Sequence, residues 1–237
     1  MIRACVLATT VLVVAACGGG DDGRLEVFAA SSLMGPLSML EGPRYTFAGS
    51  DSLGTQIREG AEADVFAAAS QKAPLELFQA GLVSAPREFA TNRLVIVVPR
   101  ANDARIRGLA DLRRNGVRIV IGDEGVPAGD YAREALATAQ AEDVLENVVS
   151  LEDDVKGVVA KVALGEADAG FAYATDAQAA AADLTVVELP PDVLPRVRYL
   201  VAAVAESDRH EQAEEFIDRL LSDEGRRALR AAGFGTP

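Results

Sequence analysis

From residue 24 onward, short aliphatic runs alternate with amphipathic stretches. Runs such as "RLEVFAA" (24–30), "ADVFAAA" (63–69) and "NRLVIVVPR" (92–100) are short and rich in β-branched residues, which predicts strands. The stretches between them, for example "SQKAPLELFQAG", carry apolar residues at helical spacing, and this one ends on glycine, as helices commonly do. Strand and helix alternate along most of the chain, which closes on two predicted helices.

Continuous aliphatic strands separated by helices predict an α/β fold whose mainly parallel sheets are covered by helices on both faces. Ligands of such sheets bind at the carboxyl ends of the strands, where the N-termini of helices also point. The residues directly after each strand are therefore the candidates for a site. Small or hydroxylated residues occupy five of these junctions: "AASSL" (29–33), "AGSDSL" (48–53), "VPAGDY" (126–131), "EDDVKG" (152–157) and "FAYATDA" (171–177).

Four of the five junctions open helices, where free N–H groups and the positive end of the helix dipole favour an anion. The fifth places the phenol of Tyr173 at the end of a strand. Each junction taken singly has a simpler interpretation, because Ser and Asp are common N-caps, and Pro is common at the first helical position. Their recurrence along one chain is what favours a binding site.

The net charge of −13 argues against a nucleic-acid partner, because phosphate backbones are bound by clusters of Lys and Arg. An anion site in this chain must use local dipoles and hydrogen-bond donors. The single histidine, His210, lies in an acidic predicted helix, and the chain has no G-x-S-x-G motif, so no enzyme is expected. One histidine and scattered carboxylates also predict no metal-ligating side chains and no cofactor.

The first 17 residues combine a basic start with an apolar run that ends in "VVAAC" and is too short to span a bilayer comfortably. This pattern predicts a lipoprotein signal peptide (1–17) with the lipid on Cys17; the alternative is an ordinary secretory signal cleaved near Ala16. "GGGDDG" (18–23) is typical of a flexible tether. The protein is therefore expected to be exported to the periplasmic side of the cell envelope and anchored to the cytoplasmic membrane, without disulfides.

Several longer segments resemble the substrate-binding proteins of molybdate ABC transporters. They are "FAGSDSLGTQIREGAEADVFAAASQK", "NRLVIVVP", "IVIGDEGVPAGDYAREAL", "EDDVKGVVAKVALGEADAGFAYATDA" and "FIDRLLSDEGRRALRAAGF", together with "VFAASSL". The resemblance covers nearly everything after the tether. It implies a two-lobed periplasmic-binding-protein fold of type II, each lobe a mainly parallel sheet flanked by helices. It also implies a monomer that delivers molybdate to the permease subunits of an ABC transporter.

The resemblance further implies which residues hold the oxyanion. They are Ser32 and Ser50 through hydroxyl and backbone N–H, Ala128 and Val155 through backbone N–H, and Tyr173 through its phenol. Molybdate is fully ionised at neutral pH and needs only donors, whereas a phosphate site usually includes an acceptor. The alternatives are tungstate, sulfate or another small anion on the same fold, or an interaction lipoprotein without a small ligand.

The implied lobes are residues 24–91 plus 196–237 and residues 92–195, with crossings near Thr91–Asn92 and around residues 195–199. Two features depart from the family pattern. The segment between Ser32 and Ser50 is short, which predicts a stunted first helix. Asp51 directly follows a predicted ligand, and its carboxylate is expected to turn outward as a helix cap.

Overall fold

A computed structural model describes residues 23–237 of the chain. The predicted signal peptide, its lipidation site Cys17 and residues 18–22 of the tether lie outside the described residues. Within residues 23–237, every helix is too short or too polar to cross a membrane.

The described residues form ten strands and eight α-helices, joined in places by short 3-10 turns. The strands are β1 (Glu26–Ala30), β2 (Arg44–Ala48), β3 (Val65–Ala68), β4 (Arg87–Asn92), β5 (Leu94–Pro99), β6 (Ile119–Gly122), β7 (Val148–Glu152), β8 (Ala169–Tyr173), β9 (Leu184–Val187) and β10 (Val197–Ala203). The helices are α1 (Met34–Leu37), α2 (Ser50–Arg58), α3 (Lys72–Gln79), α4 (Pro127–Thr138), α5 (Val155–Ala163), α6 (Ala174–Ala179), α7 (His210–Leu221) and α8 (Asp223–Ala231).

The strands form two five-stranded sheets, in the orders β2-β1-β3-β10-β4 and β7-β6-β8-β5-β9. We refer to each sheet with its packed helices as a lobe. In the first lobe β10 runs antiparallel to both neighbours, and in the second lobe β5 does so. The other strands of each sheet point the same way, so the predicted α/β fold is confirmed, with one reversed strand in each mainly parallel sheet.

The chain passes from the first sheet to the second at Arg93, between β4 and β5, and returns between β9 and β10. The sequence did not predict β4, and Asn92 was assigned to the long aliphatic strand although it belongs to β4. The reason is physical: β4 is an edge strand with half-buried ends, so it carries polar residues instead of an aliphatic run.

Burial follows the apolar pattern that predicted the elements. All of Leu94–Val98 in β5 is buried, as expected for a strand covered by helices on both faces. In α7, Phe216, Ile217 and Leu220 are buried and Leu221 is half-buried, so one apolar face of this helix packs against the core. The stunted first helix is also present, because the segment after β1 forms one 3-10 turn and the four residues of α1.

Candidate functional site

The structure brings the five predicted ligand residues together at the meeting edges of the two sheets. They are Ser32 in the 3-10 turn after β1, Ser50 at the start of α2, Ala128 as the second residue of α4, Val155 at the start of α5, and Tyr173 at the end of β8. All five line one cavity between the lobes, which we call the inter-lobe cavity. Two residues come from the first lobe and three from the second.

The inter-lobe cavity is small, and Asp154, whose side chain caps α5, is the one charged residue among the described residues that line it. Its volume is ≈ 10 Å³, about the space that one water molecule needs, so the lobes stand nearly closed on each other. A contact beside it also joins the lobes, since Lys72 Nζ lies 3.9 Å from Asp130 Oδ2. Within the described part of the chain, the residues that line the cavity include no Lys, Arg or His. An anion held there would be bound by neutral donors.

Ser50 lines this cavity, and it is not a helix cap. The N-cap of α2 is Gly49, which makes no side-chain capping bond. The Oγ atom of Ser50 instead accepts a hydrogen bond from the backbone N–H of Ala69 at 3.0 Å. Because one lone pair is used in this way, the hydroxyl proton of Ser50 remains free for a ligand.

Ser32 also makes no capping bond, since neither the 3-10 turn nor α1 has a side-chain cap. Its Oγ atom lies 3.0 Å from the hydroxyl of Tyr199 in a fully buried pair. The capping interpretation holds at another junction, where the side chain of Asp154 accepts a hydrogen bond from Gly157 N at 3.0 Å and caps α5.

The N-terminus of α4 presents its first backbone donor at a predicted ligand residue. Pro127 occupies the first helical position and has no N–H, so the first N–H of the helix is that of Ala128. The N-cap residue, Val126, makes no side-chain capping bond. The positive ends of α2, α4 and α5 therefore meet at the cavity, and this arrangement favours an anion.

Tyr173 provides the clearest sign of a ligand. Its side chain is buried, and its hydroxyl has no hydrogen-bond partner among residues 23–237. Burial raises the pKa of the Tyr173 phenol well above its ordinary value, with smaller contributions from Tyr199 and Tyr131. The phenol is therefore a protonated donor at neutral pH. An unmatched buried hydroxyl costs about 1–3 kcal/mol, which a ligand accepting its hydrogen bond would offset.

The prediction that Asp51 turns outward as a cap is wrong. Its Oδ1 atom is buried and has no hydrogen-bond partner among the described residues. Burial raises the pKa of the Asp51 carboxyl, the backbone N–H groups of Asp51 and Ser52 oppose this rise, and the carboxylates Asp130 and Asp153 of the second lobe add to it. Asp51 does not line the inter-lobe cavity, so its carboxylate lies between the lobes beside the site.

Four further residues take part in this region, and the sequence did not single them out as site residues: Asn92, Tyr199, and Thr175 and Gly49, which lie within two of the five junctions. Asn92, Thr175 and Tyr199 form a hydrogen-bonded group with Ser32, in which Asn92 is half-buried and the others are buried. Gly49 lies against the backbone of Asp153 in the other lobe. The available signals were weak: a polar residue at a lobe crossing, a tyrosine inside an aliphatic strand and a glycine before a helix.

Comparison with known proteins places the chain among related sequences and structures. Residues 44–235 match the family model described as bacterial extracellular solute-binding protein. The Molybdate-binding protein ModA of Mycobacterium tuberculosis (strain ATCC 25618 / H37Rv) is 35% identical over 224 residues, covering 90% of this chain and 85% of that protein. Molybdate-binding protein ModA of Escherichia coli (strain K12) is 33% identical, covering 90% of each chain. The solved Azotobacter vinelandii periplasmic molybdate-binding protein has a TM-score of 0.79 at 22% identity, covering 90% of this chain and 100% of that chain.

Proposed function

The chain belongs to the bacterial extracellular solute-binding proteins, and from this premise we propose that it captures molybdate between its lobes for an ABC transporter. The observation that carries the proposal is the inter-lobe cavity, whose described lining has no cationic side chain and includes Tyr173, with a hydroxyl that has no hydrogen-bond partner among residues 23–237. Molybdate is a fully ionised, compact anion at neutral pH, and a set of donors without an acceptor suits it. The relatives named for molybdate binding support the same ligand.

The strength of such a site is sufficient without a cation. Two serines contribute a hydroxyl and a backbone N–H each, and Ala128, Val155 and Tyr173 add three more donors. About seven hydrogen bonds to a charged group, at about 1.5–3 kcal/mol each, sum to about 10–20 kcal/mol. Nanomolar affinity corresponds to about 12 kcal/mol, so part of the sum can be lost to ordering and desolvation.

Closure of the lobes is the proposed signal to the transporter. A ligand that touches donors of both lobes favours the closed form through its differential contacts. The permease subunits then recognise the closed form. The proposal includes a monomeric protein, exported and held on the periplasmic face of the cytoplasmic membrane by a lipid on Cys17. Tungstate, which is nearly isosteric with molybdate, is expected to bind at the same site.

Titration calorimetry with molybdate, tungstate, sulfate and phosphate tests the ligand assignment. We expect tight binding of molybdate and tungstate, and weak binding of sulfate, which carries the same charge but is too small to reach every donor. Millimolar molybdate should raise the Tm by several degrees, because a ligand at a thousand times its Kd adds about 4 kcal/mol of stability. Equal responses to molybdate and sulfate, or no response to either, would contradict the proposal.

Single-atom removals test the donors themselves. Tyr173→Phe and Ser50→Ala should each weaken molybdate binding about 10- to 30-fold, since each removes one hydrogen bond to a charged group. The Tm of ligand-free Tyr173→Phe should stay level or rise, because the variant loses an unpaired buried hydroxyl. Ser52→Ala, at an exposed position on the same helix as Ser50, is the control and should bind normally. Unchanged affinity in both site variants would refute the site.

A further inference from the structure

A chain of polar side chains runs from the crossing between the lobes to Ser32. Asn92, the last residue of β4, lies with its Nδ2 atom 2.8 Å from Thr175 Oγ1 and 3.3 Å from the Tyr199 hydroxyl. The Tyr199 hydroxyl in turn lies 3.0 Å from Ser32 Oγ. Thr175 belongs to α6 of the second lobe, so this chain joins both lobes to a predicted ligand residue.

The direction of these hydrogen bonds is fixed at Asn92. Its Oδ1 atom accepts a hydrogen bond from the backbone N–H of Arg93 at 2.9 Å. The oxygen of the amide therefore faces Arg93, and the nitrogen faces Tyr199 and Thr175. An amide nitrogen only donates, so the Tyr199 oxygen is the acceptor in that pair. The proton of Tyr199 is then directed to Ser32, its other partner among residues 23–237.

The opposite direction would be costly. If Ser32 donated to Tyr199, the phenol proton of a side chain with no exposed surface would lose its acceptor. Burial also raises the pKa of Tyr199, so the phenol keeps its proton at neutral pH. Ser32 therefore accepts from the protein, and its own proton remains for the cavity. The Ser50 hydroxyl is oriented in the same way, because its oxygen accepts a hydrogen bond from the backbone N–H of Ala69.

We propose that Tyr199, oriented by Asn92, is a positioning residue that makes Ser32 an obligate donor and thereby selects fully deprotonated oxyanions over protonated ones. The inference rests on the proposed function, because it concerns the selectivity of the same site. A hydrogenphosphate ion would bring a proton to a cavity in which both serine hydroxyls are committed to donation. The one carboxylate among the described lining residues, Asp154, already accepts from Gly157 N as the cap of α5. Molybdate and tungstate bring none.

The packing of Tyr199 allows its hydroxyl to be tested separately from its ring. The ring makes edge contacts with Phe89, Tyr173 and Phe234, at centroid distances of 6.1, 6.0 and 5.4 Å. Tyr199→Phe preserves these contacts and removes only the hydroxyl. Tyr45→Phe is the matched control, since its hydroxyl donates to the backbone oxygen of Leu40 at 3.1 Å, away from the cavity.

The experiment titrates Tyr199→Phe, Ser32→Ala and the double variant with molybdate and with hydrogenphosphate. Tyr199→Phe should weaken molybdate binding about tenfold, and the double variant should bind no more than about twofold more weakly than Ser32→Ala alone. The preference of Tyr199→Phe for molybdate over hydrogenphosphate should fall about tenfold, because the released Ser32 hydroxyl can turn and accept a proton. Tyr45→Phe should match the unaltered protein in both respects.

Asn92→Asp gives a second measurement that does not depend on the folding of Tyr199→Phe. A carboxylate only accepts, so it takes the Tyr199 proton and obliges Ser32 to donate to Tyr199. The preference for molybdate over hydrogenphosphate should therefore fall in Asn92→Asp too. The negative charge that this substitution adds repels both dianions, so its effect largely cancels from the ratio of their affinities.

The outcomes separate this inference from the proposed function. Two results would overturn the positioning role while molybdate binding stands. One is a double variant whose loss of molybdate affinity equals the product of the losses in Tyr199→Phe and Ser32→Ala. The other is an unchanged ratio of molybdate to hydrogenphosphate affinity in Tyr199→Phe. If the unaltered protein binds tungstate or sulfate but not molybdate, the proposed ligand is wrong, and the same ratio against hydrogenphosphate still decides the role of Tyr199. A protein that binds none of these anions overturns both.

Discussion

Gly49→Ala is expected to weaken molybdate binding more than about a hundredfold while leaving the ligand-free protein folded. Gly49 precedes Ser50 in the first lobe and lies against Asp153 of the second lobe. A Cβ atom on Gly49 would overlap the backbone oxygen of Asp153 and would stand 2.7 Å from Asp51 Oδ1. The Asp51 side chain can rotate, whereas the backbone of Asp153 can move away only if the lobes separate.

The cost arises only on closure. The backbone of Gly49, at φ −60 and ψ 139, is in a region open to any residue, so the first lobe accommodates alanine without strain. Overpacking of this kind costs about 3 kcal/mol, and here it destabilises only the closed form. The apparent affinity falls in proportion to the population of the binding-competent state, which corresponds to a factor of more than about a hundred.

Calorimetry and small-angle X-ray scattering together measure this effect. Molybdate should reduce the radius of gyration of the unaltered protein and leave that of Gly49→Ala unchanged. Gly35→Ala is the control in the same lobe, because a Cβ atom added there meets nothing within 4 Å. Normal affinity and normal compaction in Gly49→Ala would show that the bound form does not bring these two backbones together.

The five junctions show why much of the site could be predicted from sequence. Each donor residue follows a strand or opens a helix, and the carboxyl ends of parallel strands share one edge of a sheet. The residue types that follow each strand therefore predict a group of residues that lie close together in the fold. The structure places all five residues around one cavity, although their role as ligands stays a prediction.

The features that could not be predicted depend on contacts between distant segments. The partner of Ser32 is Tyr199, 167 residues away, and no local pattern connects them. Asp51 lies beside Asp130 and Asp153 of the second lobe, and the sequence of α2 does not specify these neighbours. The strand β4 was missed because an edge strand needs no aliphatic run, and Asn92 was placed on the wrong strand for the same reason.

Lys156→Met is expected to destabilise the protein by about 3 kcal/mol at neutral pH. Lys156 Nζ lies 2.6 Å from Asp176 Oδ1, and the Asp176 side chain is 1% exposed. The other carboxylate oxygen, Oδ2, has no hydrogen-bond partner among the described residues. Removal of the ammonium leaves a buried charge uncompensated, which costs about 3–5 kcal/mol, and the lower value applies because the Lys156 side chain is 34% exposed. The Tm should fall by about 6–12 °C.

The loss should depend on pH in a defined direction. Burial raises the pKa of the Asp176 carboxyl, and Lys156 opposes this rise, so the pKa climbs further in the variant. A carboxyl whose pKa is higher in the folded state than in the unfolded state stabilises the fold when the pH is below its unfolded pKa of about 3.9. This stabilisation is lost as the pH rises through the pKa of the folded state. Urea denaturation at pH 7.5 and at pH 4.5 should therefore show a larger deficit for Lys156→Met at pH 7.5.

Two variants identify burial of the charge as the cause. Lys161→Met removes a lysine of almost equal exposure from the same helix, but its partner Glu152 is 12% exposed, so we expect a loss of about 1 kcal/mol. Lys156→Met combined with Asp176→Asn removes both charges and should recover most of the stability, because no ion is left buried. A deficit that does not vary with pH and persists in the double variant would assign the loss to other interactions of the Lys156 side chain, which both variants lack, and not to the buried charge.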